Sequence, residues 1–246
     1  MSRLLSPNMI LAIRAGLVLT LAGVGLAIDA KVLDESTVIA GMSVQYKVVL
    51  PKDYDADKAY PAVLAFPPGG QGLDMVQFTL VRNWAGEAQR RGYIVVIPAA
   101  PNGHTFTREG ALIFPEFLEK LTRDYKIKDN KFHIAGMSNG GLSAFHLAAS
   151  YPQFFSTVTG FPGYLKDASP ERMKALSGMC LYMHVGEMDA RWRSAMQQQA
   201  DEFRAKGFAV HFTVEEGEQH VIQALNGAGA IRLFEQMEET RTCRSN

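Results

Sequence analysis

The 246-residue chain has little cysteine: Cys180 and Cys243 are its only two, too few for a disulfide framework or a thiolate metal cluster. It has no excess of either charge, because 25 Lys plus Arg balance 25 Asp plus Glu. No long-range field therefore draws it to nucleic acid or an acidic polymer. Repeats at solenoid or propeller periods and low-complexity tracts are missing. So are His-Glu-x-x-His and Cys-x-x-Cys spacings, which leaves metal-assisted hydrolysis without a ligand set and the chain without a cofactor signature. Cys180 falls in an apolar run and reads as a buried small hydrophobe. A Cys180–Cys243 bridge stays open as a reading for an oxidising compartment.

One uninterrupted apolar stretch stands out, Ala15 to Ile28, with Arg3 and Arg14 before it and no acid until Asp29. Its length is nearer that of a signal peptide than the roughly 20 residues of a membrane-spanning helix, and Gly25, Ala27 and Ala30 offer small residues for cleavage. Residues 1–30 are expected to be a signal peptide, with an uncleaved membrane anchor as the alternative, and the protein to be exported to the periplasm or secreted. A span from Met9 to Ile28 would carry Arg14 into the bilayer at a cost of about 2.5–3.5 kcal/mol. Residues 31–246, in a chain that is 47% hydrophobic, are enough for one large α/β domain.

Within that domain, strands and helices alternate. Val38 to Leu50 alternates apolar and polar residues as an early strand with one wetter face, and Pro61 to Pro67 is a nearly all-apolar run suited to a central strand. Val76, Leu80, Trp84 and Ala88 recur at helical spacing before Gly92, and Tyr93 to Ile97 gives another buried strand. Phe114, Phe117, Leu118, Leu121 and Tyr125 form a helical stripe. Strands follow at Phe132 to Ala135, Phe155 to Phe161, Met179 to Val185 and Phe208 to Val214. Helices are expected after Ser138, over Pro170 to Leu176, from about Ser194 to Lys206, and in a last region interrupted near Asn226 to Gly229. Such alternation implies a mostly parallel central sheet with helices on both faces. The segment from Phe161 to Met179 is too short for a large lid domain.

The chemistry centres on Gly136-Met-Ser138-Asn-Gly140, a strand, sharp turn and helix with Ser138 at the apex. A serine in such a corner projects its hydroxyl outwards while the following backbone N–H groups point over it. The plain alternative is a glycine-flanked connector. Serine is a weak nucleophile, so it needs an imidazole to take its proton and an acid to orient that imidazole. Asp189 follows the Met179 to Val185 strand and His220 follows the Phe208 to Val214 strand, in loops that a parallel sheet brings to one edge. Asp189 could instead cap the following helix, and Glu187 is the rival acid. His184 and His133 lie in strand runs and read as packed, hydrogen-bonded side chains, while His104, His146 and His211 show no pairing pattern.

A substrate carbonyl also needs donors for its developing negative charge. The N–H of Asn139 is one candidate, and the Pro-Pro-Gly69-Gly70 loop after the Pro61 to Pro67 strand supplies the other. Phe161, Pro162, Trp192 and Phe106 are candidates to wall a substrate pocket, with core or loop packing as the alternative.

The segments FPPGG, GMSNGG, GEMD and EGEQH, in that order from about Val38 to Glu239, resemble the α/β-hydrolase superfamily of serine esterases. The serine segment is particularly similar to the polyhydroxybutyrate-depolymerase and feruloyl-esterase-like branch, and is also similar to the phospholipase/carboxylesterase-like branch. The resemblance implies an α/β-hydrolase fold over residues 31–246. It implies Ser138 as nucleophile, His220 as base, Asp189 as acid, and Asn139 with Gly70 as oxyanion donors. It implies a small or polymeric ester substrate, with a peptidase or amidase on the same triad, or a non-catalytic domain on the same fold, as alternatives. One departure is that Pro67 or Pro68 stands where the branch often has a histidine before the oxyanion glycines.

Overall fold

The computed structural model describes residues 31–239. The expected leader or anchor, residues 1–30, and Cys243 lie outside the described residues. Among the described residues no helix is long and apolar enough to cross a membrane.

Eight strands form one sheet in the order β1-β2-β4-β3-β5-β6-β7-β8. They are β1 (Val32–Ile39), β2 (Met42–Val49), β3 (Tyr60–Phe66), β4 (Ile94–Pro98), β5 (Ile127–Gly136), β6 (Phe155–Gly160), β7 (Cys180–Gly186) and β8 (Val210–Glu215). β2 pairs antiparallel with β1 and with β4, and every pairing from β4 through to β8 is parallel. The helices are α1 (Leu73–Thr79), α2 (Ala85–Arg91), α3 (Glu116–Asp124), α4 (Asn139–Ser150), α5 (Pro170–Ala175), α6 (Ala190–Ala205) and α7 (Ile231–Glu238). A single π turn, Leu80–Trp84, joins α1 to α2, so the apolar stripe read from the sequence runs through both.

The two-residue period of a strand sorts its side chains between two cores. Ala62, Leu64 and Phe66 of β3 face one core with Phe117 of α3, Phe145 of α4 and Phe203 of α6. Val63 and Ala65 face the other with Trp84, Ala88 of α2 and Phe234 of α7. β4 divides the same way, Ile94 and Val96 against Val95 and Ile97. Both faces are covered, which is why these strands read as continuous apolar runs.

One expected element needs correction. The early strand expected over Val38 to Leu50 is a hairpin, with Ala40 (φ 50°) and Gly41 (φ 76°) making a left-handed turn between β1 and β2. That conformation at both central residues matches the twist of the flanking strands.

The chain order sets up the site. From β3 the chain crosses to β4 on one side, then returns by α3 to β5 on the other side. In an open parallel sheet such a reversal leaves a crevice beyond the carboxyl ends of the two strands. The loop after β3 carries Gly69 and Gly70, and the turn after β5 carries Ser138.

Candidate active site

Ser138 stands between β5 and α4 with φ 58° and ψ −120°, a conformation that costs a non-glycine residue of order 1–3 kcal/mol. The corner is held by close backbone packing that excludes side chains. A Cβ on Gly136 would lie 2.2 Å from the Gly140 carbonyl oxygen, and one on Gly140 would lie 2.1 Å from that of Phe66. The Ser138 N–H donates to the Pro162 carbonyl (2.8 Å), fastening the turn to the loop after β6.

The three residues expected to meet do meet. Ser138 Oγ lies 2.8 Å from His220 Nε2, and His220 Nδ1 lies 2.5 Å from Asp189 Oδ2. A carboxylate only accepts, so Nδ1 carries the proton and Nε2 is left to accept from the hydroxyl. Asp189 is largely buried while the His220 side chain is 39% exposed, so the imidazole bridges a buried carboxylate and a solvent-open site. Asp189 occupies the N-cap position of α6 but makes no capping hydrogen bond; its carboxylate turns to the histidine instead.

Glu187, the rival acid, accepts from the Gly217 N–H (2.9 Å), and Met188 N–H donates to the Glu218 carbonyl (2.9 Å). The Glu218 carboxylate receives the N–H groups of Gln223 and Ala224. These bonds pin the loop bearing His220 on both sides. The end of β7 presses on the same loop, since a Cβ on Gly186 would lie 2.1 Å from the Gln219 carbonyl oxygen.

Asn139 opens α4, and no backbone hydrogen bond among the described residues uses its N–H. Its side chain donates to the Gly69 carbonyl (2.9 Å), tying the Ser138 turn to the glycine loop. Gly69 and Gly70 are exposed beside it, Gly69 at φ 61°.

Trp192, on the first turn of α6, lies with its ring 5.1 Å from that of His220 and 5.4 Å from Tyr164. Tyr164 was not expected; its signal was an aromatic residue in the loop after β6. Phe161 and Phe106 need correction. Phe161 is 1% exposed and packs edge-on against Trp84, while Phe106 is fully buried against Phe66 and Phe114. Phe161, directly after β6, faces the core its register dictates, and Phe106, in the loop after β4, is drawn into an aromatic cluster, so both side chains are spent on the core. Pro162 is buried too, and its contribution to the site is its carbonyl.

The remaining histidines do other things. His133 bonds Thr157 (2.9 Å), His211 stacks on Tyr182, and burial first, then Arg172, pushes the His146 pKa down. His184 is buried against Glu215 (2.9 Å), which Arg232 grips with both guanidinium nitrogens (2.9 and 2.8 Å). Among the described residues no cluster of His, Cys, Asp or Glu is arranged to hold a metal. Cys180 is buried and is not a free thiol.

An open, mostly parallel sheet flanked by helices, with its strand-end loops converging on a strand-turn-helix serine, defines an α/β-hydrolase. The chain belongs to the esterase family described as "Putative esterase", which matches residues 36–238. It resembles a thermostable esterase (TM-score 0.67, 18% identity), covering 87% of this chain but only 62% of that one. It resembles a ferulic acid esterase (TM-score 0.61, 16% identity) over 87% of this chain and 98% of the other. It is also similar to an S-formylglutathione hydrolase from Agrobacterium tumefaciens (TM-score 0.62, 14% identity) over 84% and 94% of the two chains. No curated protein matches the chain.

Proposed function

We propose that the protein is a serine esterase that forms an acyl-enzyme on Ser138. His220 Nε2 takes the hydroxyl proton as the oxygen attacks the ester carbonyl, and Asp189 stabilises the imidazolium that forms. The carbonyl oxygen, now negative, is held by the N–H groups of Asn139 and Gly70. Collapse expels the alcohol with the proton from His220. Water then repeats the cycle on the acyl group, releasing acid and restoring Ser138. Beyond the ester and water, these steps draw on the chain's own side chains and backbone.

The observation that carries the reading is the unbroken contact line from Ser138 through His220 to Asp189. The open side of His220 and the short β6–β7 connection, which holds only α5, suit a bulky or polymeric ester. Trp192 and Tyr164 wall one side for the substrate. The apolar segment Ala15 to Ile28 after Arg14 supports export, which N-terminal sequencing of extracellular or periplasmic protein checks.

The activity is tested by assaying nitrophenyl esters of graded acyl length beside aminoacyl anilides. Esters are expected to turn over faster. Hydrolysis of anilides alone would overturn the esterase reading in favour of a peptidase, and turnover of neither would leave a non-catalytic domain.

A further inference from the structure

Gln71 is fully buried in the loop after β3, one residue beyond Gly70, and holds φ at 60°. A glutamine in left-handed backbone is uncommon where glycine would be unstrained. Its side chain explains why glycine would not serve. Gln71 Nε2 donates to the Pro67 carbonyl (3.2 Å) and to Ser143 Oγ (3.0 Å), and Oε1 accepts from the Phe106 N–H (3.0 Å). Ser143 lies one turn along α4 from Asn139 and donates to the Asn139 carbonyl (2.9 Å). The Gln71 backbone closes the same loop: its N–H donates to Pro68 (3.0 Å) and its carbonyl accepts from Ala100 (2.8 Å).

Both ends of the glycine loop are therefore tied to the nucleophile helix. On the solvent side the Asn139 amide holds the Gly69 carbonyl; underneath, the Gln71 amide locks Pro67 to Ser143. Glycines alone would not hold an N–H in a fixed direction. We infer that Gln71 is a positioning residue that fixes the Gly69-Gly70 backbone at oxyanion distance from the Ser138 turn. The inference rests on the oxyanion assignment made above.

The test replaces Gln71 by Gly, which keeps the backbone conformation unstrained and removes the side-chain amide with its bonds to Pro67, Ser143 and Phe106. Oxoesters and matching thionoesters are compared, because a thiocarbonyl sulfur draws little on donors placed for oxygen. Turnover of the oxoester is expected to fall about 100-fold with KM little changed, as for a reacting group displaced by an ångström. The thionoester rate is expected to fall much less. Equal losses on both substrates, or oxoester turnover within about threefold of wild type, would overturn the inference. If Gln71→Gly does not fold, Ser143→Ala removes the partner on α4 and is expected to cost about tenfold on the oxoester alone; unchanged turnover there overturns it equally. Fluorophosphonate labelling of wild type separates the two levels. Unlabelled Ser138 sinks the underlying mechanism, whereas labelled Ser138 with normal Gln71→Gly turnover sinks this inference only.

Discussion

Two histidine–carboxylate pairs stand at the same end of the molecule, and only one has the geometry proposed for catalysis. His220 with Asp189 and His184 with Glu215 both join an imidazole Nδ1 to a carboxylate at 2.5 and 2.9 Å. The difference lies at the other nitrogen. His220 Nε2 faces the Ser138 hydroxyl in a half-open site, whereas His184 is 2% exposed and its Nε2 meets the Gln236 amide. The carboxylates differ as well. Glu215 is gripped by Arg232, and its pKa is held down at about 2, first by the hydrogen bond from His184 and then, against desolvation, by Arg232. A histidine–carboxylate pair thus becomes a base only when the imidazole keeps a lone pair aimed at a reactive proton. Closed off by an amide and a guanidinium, the same pair becomes a clamp fastening α7 to β7 and β8.

Breaking the catalytic pair is expected to have the largest effect. Ser138→Ala should lower kcat about a million-fold with little change in unfolding temperature. Asp189→Asn should lower it about 10⁴-fold, because an amide no longer fixes the Nδ1–H tautomer of His220. Steady-state kinetics on a nitrophenyl ester checks both, and near-normal turnover in either would refute their assignment.

Breaking the clamp should do the reverse. Glu215→Gln is expected to cost about 3 kcal/mol of stability at neutral pH while the folded fraction keeps near-normal kcat. The sign of its pH dependence follows from the lowered pKa. The stabilisation is complete above the ordinary carboxylate value of 4.5 and is lost as pH falls towards about 2. Wild type should therefore lose stability across that acid window more steeply than Glu215→Gln does. Parallel denaturant midpoints for the two proteins from neutral pH down through that window would contradict the clamp.

The smallest expected effect belongs to Trp192, whose ring lies against His220 without touching the proton path. Trp192→Ala should cost about 1 kcal/mol in kcat/KM, more for aromatic than for short aliphatic esters. An equal loss for both kinds of ester would make it a packing residue.

The same contrast explains what could be read from the sequence. The meeting of Ser138, Asp189 and His220, the proposed triad, was legible because parallel topology brings the ends of β5, β7 and β8 to one edge. His184 was legible as a packed residue from its apolar neighbours, but Arg232 and Gln236 come from α7, and no local pattern announces that pairing. Gln71 was invisible for a similar reason: its partner Ser143 is 72 residues away. β1 was missed because half of its residues are exposed and only Ile39 is buried, leaving an edge strand with no clear alternation. Phe161 was misplaced because an apolar run buried on both faces hides which side each residue takes.

The most direct measurement is the mapping of a fluorophosphonate adduct by peptide mass spectrometry on folded wild type and His220→Ala. A single adduct on Ser138 in wild type, lost or strongly slowed in His220→Ala, is the expected result. An unmodified Ser138, or one labelled equally fast without His220, would contradict the claim that these side chains form one catalytic unit.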